Sequence, residues 1–275
     1  MITNFNTNKV FIAKGMESVS FTDATRHLLE AFHSRMIQWD YLPNTPSPFH
    51  IWARDYMPVQ VAKKKFVRFR YTPDYLNDSP EYKPDTSAIL SALDLSAIDS
   101  DIIIDGGNIV SCDDKVIMTD KILRENPHYE LCQLIDVLSQ LLEAEVILIP
   151  ADYYDEYGHA DGMVRFIGNG NVLLNNYCDF DKSLRKRLLT ALSPHFEITE
   201  LHYDSYTDKS WAYINFLHVG HYIFIPMLED KLTDTAFRQI VEAYPDCECY
   251  PIWQYDNIVH EGGALNCSTW NIMID

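Results

Sequence analysis

Apolar residues recur at helical spacing in five separated stretches, with shorter apolar runs between them. Leu131, Ile135, Leu138 and Leu142 step by fours and threes and predict a helix from Tyr129 to Glu143. The same pattern predicts helices over Asp23 to Met36, Thr86 to Leu93, Asp181 to Leu192 and Thr233 to Ala243. Each is followed by a short apolar strand: Phe49 to Trp52, Ile102 to Ile104, Val146 to Ile149, Ile198 to Leu201 and Cys249 to Ile252.

These strands lead into a motif that repeats, a strand, a polar or glycine-containing turn and a second strand. Three copies are plain: DGGNIVSCDDKVIMTD from Asp105, HADGMVRFIGNGNVLLNN from His159 and NFLHVGHYIFIPML from Asn215. Their turns, Asp113-Asp114, Gly168-Asn169-Gly170 and Gly220-His221, carry residues that tolerate hairpin geometry. Two further copies begin at Trp52 and His260. With Asp55, Gly106, Asp161, Asn215 and Gly263 as equivalents, the steps are 51, 55, 54 and 48 residues.

The fifth copy stops after one strand, while Lys9-Val10-Phe11-Ile12-Ala13 matches Lys115-Val116-Ile117-Met118 in place and kind. The N-terminal strand is therefore expected to pair with the last motif and close a ring, leaving no exposed sheet edge. The prediction is an α/β protein in which residues 1–275 form a single domain of five strand-hairpin-helix repeats around a central axis.

A net charge of -18, with no basic block beyond Lys63-Lys64-Lys65, argues against nucleic acid and fits a small cationic partner. No stretch approaches the roughly 20 apolar residues of a membrane span, and Met1 to Val10 lacks the signature of a secretory signal. A cytoplasmic location is expected. In that compartment the six cysteines read as free thiols, and Cys247 with Cys249 lacks the second ligand pair of a structural zinc site. Homo-oligomerisation is left open.

Repeats of this kind bring equivalent loops to one axis, so residues that break the repeat attract attention: Asp55, Asp105, His159 with Asp161, and Cys267. A cysteine and a histidine distant in sequence can supply a thiolate nucleophile and its acid/base partner. Several aspartates beside that thiol would hold it protonated unless a cation enters among them. A guanidinium is such a cation, planar and forked to meet two carboxylates. Taken singly, Cys267 could be a small buried hydrophobe, His159 a loop histidine, Asp55 the ion-pair partner of Arg54, and Asp105 a turn residue.

Jointly the motifs are more specific. Trp52-Ala53-Arg54-Asp55-Tyr56-Met57-Pro58 resembles the WxRDxGP element of the agmatine deiminase and bacterial-type peptidylarginine deiminase family. Asp105-Gly106-Gly107-Asn108 resembles its E/D-G-G-N element. Gly158-His159-Ala160-Asp161 with Arg165-Phe166 resembles GHxDxxxRF, and Gly262 to Thr269 resembles the terminal GGGxHCxT. The resemblance implies the pentein α/β propeller and deimination without metal or other cofactor. Carried over by motif, Cys267 attacks the guanidinium carbon, Asp55 and Asp161 grip its nitrogens, His159 moves protons, and Asp105 supports the histidine. Trp52 and Asp105 join the two gripping aspartates as substrate-binding candidates.

Three departures, Met57 for Gly, Asn266 for His and Trp270 for Gln, are expected to reshape the pocket beside Cys267 and to put agmatine itself in question. The substrate is expected to be agmatine-like or arginine-derived. Alternatives are a peptidylarginine deiminase, an amidinotransferase, a pentein that only binds a partner, and a cysteine peptidase. A peptidase would have no use for several guanidinium-matching carboxylates and would need an oxyanion hole.

Overall fold

The repeat pattern becomes five three-stranded sheets in the computed structural model, which describes residues 1–275. The first sheet joins β1 (Lys9–Ala13), β2 (Gln38–Leu42) and β15 (Thr269–Ile272). The second holds β3 (Val59–Ala62), β4 (Lys65–Arg70) and β5 (Ile98–Ile103), and the third β6 (Val110–Cys112), β7 (Lys115–Thr119) and β8 (Glu145–Ile149). The fourth holds β9 (Val164–Gly168), β10 (Asn171–Leu174) and β11 (Glu197–Glu200), and the fifth β12 (Leu217–Val219), β13 (Tyr222–Pro226) and β14 (Glu248–Ile252).

All five share one wiring. The middle strand pairs antiparallel with one neighbour, its hairpin partner in four sheets and β15 in the first, and parallel with the third strand, reached through a crossover that contains a helix. Middle strands such as Lys115–Thr119 are buried from their second residue on, with the apolar run Val116-Ile117-Met118, because both their faces are covered, whereas third strands such as Gln38–Leu42 alternate. Tight turns occur where the sequence puts them: Asp113 and Gly220 take positive φ between Cys112 and Lys115 and between Val219 and Tyr222.

The two ends of the chain complete the first sheet. β1 runs antiparallel to β15, from Lys9 opposite Ile272 to Ile12 opposite Thr269. Trp270 of β15 stacks on Phe11 of β1 and reaches Phe66 of β4, so it ties the closing strand to two sheets. Crossover helices couple neighbours in the same way: Phe32, on the helix Thr22–Ser34, packs edge-on against Phe224 of β13.

The other long helices are Thr86–Ala92, Leu131–Leu142, Lys182–Leu192 and Thr233–Ala243, each within two residues of expectation. Two expectations need correction. The third strand of the first sheet is Gln38–Leu42, not Phe49 to Trp52. There Pro48 opens a 3-10 turn, Pro48–His50, whose Phe49 N–H is capped by Ser47 Oγ at 3.2 Å, and that geometry precludes an extended strand. The first helix stops at Ser34, because Met36 adopts φ of 54°, outside helical space.

Replacing Trp270 with alanine removes the stack across the closing strand and the hydrogen bond from Nε1 to the Pro58 carbonyl at 2.9 Å. The expected cost is about 3–5 kcal/mol of stability, read from urea denaturation.

Candidate active site

Each hairpin is preceded by a short helical turn, and the five turns carry the polar residues that break the repeat. Asp55 lies in Ala53–Tyr56, Asp105 immediately precedes Gly106–Asn108, and His159 immediately precedes Ala160–Gly162, which contains Asp161. Asn215 ends Ser210–Ile214, and Cys267 lies in a turn where the Ser268 N–H donates to the Ala264 carbonyl at 3.0 Å. Close approach between turns requires glycine at one point in particular. A Cβ on Gly107 would stand 2.7 Å from both Asp55 Oδ1 and His159 Nδ1, so a side chain there would push the two functional groups apart.

His159 stands between two carboxylates. Its Nε2 lies 2.7 Å from Asp105 Oδ2 and its Nδ1 3.7 Å from Asp55 Oδ1. Asp55 Oδ1 also accepts from the Gly107 N–H at 3.0 Å. Behind the imidazole, Asp105 Oδ2 accepts from Lys121 Nζ and from the Tyr75 hydroxyl, and Lys121 pairs at 3.0 Å with Glu125. Across the site, Cys267 Sγ lies 3.2 Å from Asn215 Oδ1 and 3.8 Å from Asp161 Oδ2, and Asn266 Nδ2 donates to the same aspartate oxygen at 2.6 Å.

His159, Asp161, Asn215 and Cys267 face one cavity of about 780 Å³. Asp152, Asp155, Glu156, Asp208 and Glu261 add carboxylates to its wall, with Tyr154, Tyr157, Phe180, Tyr206 and Trp211 between them. Asp55 and Asp105 are not on that wall: they are buried behind His159. Trp52 is off it as well, its ring pressed so closely on Gly263 that a Cβ there would come within 2.1 Å.

Electrostatics follows the geometry. Burial opposes a charged His159, but Asp55 and Asp105 outweigh it and raise its pKa to about 9. Burial pushes Asp55 up to about 7, with Asp105 and Asp161 adding to the rise and His159 opposing it. Burial would raise Asp105 too, yet His159 and Lys121 hold it below the ordinary aspartate value. Cys267 is driven well above an ordinary thiol, first by burial and then by Asp161 and Asp55. His159 is thus held as an imidazolium and Cys267 as a protonated thiol on the same cavity.

Of the three departures, only Asn266 touches a site residue. Met57 and Trp270 pack in the apolar core with Phe11 and Phe66, so the expected reshaping by them does not occur. Arg54 does not pair with Asp55; its guanidinium turns to the Asn266 carbonyl and Asn271. Tyr157 and Trp211 also line the cavity, while Tyr213 is buried in the core with its hydroxyl on Thr233.

Sequence reasoning passed over Lys121, Glu125 and Asn215 as site residues. Lys121 and Glu125 stand four apart on a short helix, Lys121–Glu125, a spacing usually found on solvated faces. Asn215 was marked only as a repeat equivalent, and its alignment with Asp55 and Asp161 was the available signal.

The sequence matches the profile of the Porphyromonas-type peptidyl-arginine deiminases over residues 2–272. The chain belongs to that family. Its members are hydrolases that act on C–N bonds, and the chain is an enzyme of this class. No curated protein sequence matches it. Among solved structures, C. jejuni agmatine deiminase is 15% identical, with 99% of this chain and 95% of that one covered and a TM-score of 0.77. Agmatine deiminase of Enterococcus faecalis is 16% identical, with coverage of 100% and 95% and a TM-score of 0.76. DDAH from Pseudomonas aeruginosa is 10% identical, with coverage of 98% and 100% and a TM-score of 0.62. These likenesses establish the pentein fold, a five-repeat propeller-like α/β arrangement.

Because Asp161 lies 3.8 Å from Cys267 Sγ and disfavours its thiolate, Asp161→Asn should speed alkylation of Cys267 by iodoacetamide in ligand-free protein. Each pKa unit removed gives about tenfold at pH 7–8, and labelling followed by peptide mass analysis reads it. Equal rates in the two proteins would show that this carboxylate does not control the thiol.

Proposed function

We propose that the chain deiminates a small guanidino compound through a covalent amidino-thioether on Cys267. The observation that carries this reading is the placement of one thiol and one imidazolium on a single cavity, each held next to a carboxylate. An incoming guanidinium supplies the missing cation. It offsets Asp161 and Asp55, lowers the thiol pKa and lets Cys267 release its proton to solvent.

The thiolate then adds to the guanidinium carbon. His159 protonates one nitrogen of the tetrahedral adduct, the C–N bond breaks and ammonia leaves, so the carbon remains bound to sulfur as a cationic amidino-thioether. The neutral His159 takes a proton from water, hydroxide adds to the same carbon, and the C–S bond breaks to give a urea. The proton left over restores the Cys267 thiol. Asp105, held by Lys121 and Tyr75, keeps the imidazole ring in place and favours its charged form through the step that needs it.

The tail of the substrate is read from the cavity wall. Six carboxylates, Asp161 among them, and six aromatic rings in about 780 Å³ favour a cationic, extended tail over a neutral one. An agmatine-like substrate stands ahead of peptidyl-arginine, and C. jejuni agmatine deiminase has been solved with its substrate bound. The reading treats residues 1–275 as one pentein unit in which no metal or cofactor is required. It places Trp52 as a wedge against Gly263 that fixes the Cys267 turn, instead of a substrate contact.

Ammonia release from agmatine, free arginine and an arginine peptide, lost in Cys267→Ala and His159→Ala, tests the assignment and names the tail. kcat/KM should follow a bell, rising through about pH 7 as Asp55 ionises and falling through about pH 9 as His159 loses its proton. A rate that keeps climbing beyond pH 10 would remove His159 as the acid. Transfer to an added amine in place of water would make the enzyme an amidinotransferase.

A further inference from the structure

Behind the site, on the far side of Asp161, two small cavities of about 40 and 50 Å³ adjoin, both lined by Asn4, Arg54, Ile109 and Ser111. The smaller one is also lined by Arg165, Asp161 and Asn266. Arg165 is 3% exposed and stacks at 4.7 Å on the Phe216 ring, yet its guanidinium donates no hydrogen bond to any protein acceptor, and Nη2 is buried without a partner. Arg54, half-buried, donates to the Asn266 carbonyl and Asn271 Oδ1. Neither guanidinium has a carboxylate oxygen within 4.0 Å.

A buried guanidinium without an acceptor is costly, and a second one facing the same space adds repulsion. Burial, then the neighbouring Arg165, lowers Arg54 to about 10, and burial lowers Arg165 as well. The wall of the smaller cavity carries two guanidiniums and the single carboxylate of Asp161, which bonds to neither, so cations outnumber anions around this space. Water can fill a space of this size, at about 10–15 Å³ per molecule, but it cannot supply the missing negative charge.

We infer that this cavity is a binding site for a small monovalent inorganic anion of chloride size, held between Arg165 and Arg54. The anion completes the donor set of Arg165 and neutralises the layer beneath the active site. Arg54 transmits this to the nucleophile's turn, because its backbone N–H donates to the Cys267 carbonyl at 3.0 Å and its side chain holds the Asn266 carbonyl. Residues Asn4 and Phe5 lie over the cavity, so the N-terminal segment that leads into β1 forms part of the site's wall.

A ligand that binds only the folded state raises the unfolding temperature in a saturable way. The thermal midpoint should therefore rise and level off with sodium chloride, but not with sodium gluconate at equal ionic strength, whose anion is too large for the cavity. Arg165→Met should lose the chloride-specific rise. Bromide-soaked crystals of the unaltered protein should show an anomalous peak between the two guanidiniums, a result that does not depend on the variant folding. Identical midpoints in the two salts, a chloride response that survives in folded Arg165→Met, or no bromide peak in this cavity would each overturn the proposal in favour of water.

Discussion

Three aspartates, Asp55, Asp105 and Asp161, are buried within one ring of turns, and a buried carboxylate must find a cation or lose its charge. That constraint organises the surroundings. Asp105 meets it twice over, through His159 in front and Lys121 behind, and stays ionised. Asp55 meets it only through a 3.7 Å approach to His159 and one backbone N–H, and drifts up to about 7. Asp161 is held by neutral Asn266 and the Cys267 thiol, and no internal cation bonds to it within 4.0 Å. The space left open in this pattern of charge has the sign of a guanidinium, and it opens on the cavity that contains the thiol.

The backbone makes this convergence unavoidable. A sheet wired as hairpin plus parallel crossover places the turn before its first strand at the inner end, and five such sheets bring five turns together. The ring depends on the pairing of β1 with β15, which joins residues near the two ends of the chain and is reinforced by Trp270 on Phe11 and Phe66. Gly107 and Gly263 mark where turns touch: any side chain at the first would strike Asp55 and His159, and any at the second would strike Trp52. The residues that build the fold and those that set the chemistry are thus neighbours in every repeat.

Much of this was readable from the chain. The 3.6-residue period of Leu131 to Leu142 and the apolar run Lys115 to Met118 locate a helix and a central strand because burial imposes those periods. The match between Lys9 to Ala13 and Lys115 to Met118 of the second repeat anticipated strand β1. What escaped was set by tertiary contact. Pro48 with its Ser47 cap overrode the strand reading of Phe49 to Trp52, and Gln38 to Leu42 was passed over because a half-exposed edge strand carries only a weak alternating signal. Lys121 and Glu125 look like any solvated pair at i, i+4, and only the packing of their helix against Asp105 turns them into a buried relay. Trp270 reads like a pocket residue beside Cys267, but strand alternation points it to the core.

The central claim is that Cys267 carries the reacting carbon, and rapid acid quenching during turnover of a guanidino substrate, followed by peptide mass analysis, tests it most directly. The account predicts an added mass equal to substrate minus ammonia, found only on the peptide containing Cys267. Turnover with no such adduct at any quench time, or an adduct on another of the six cysteines, would contradict it.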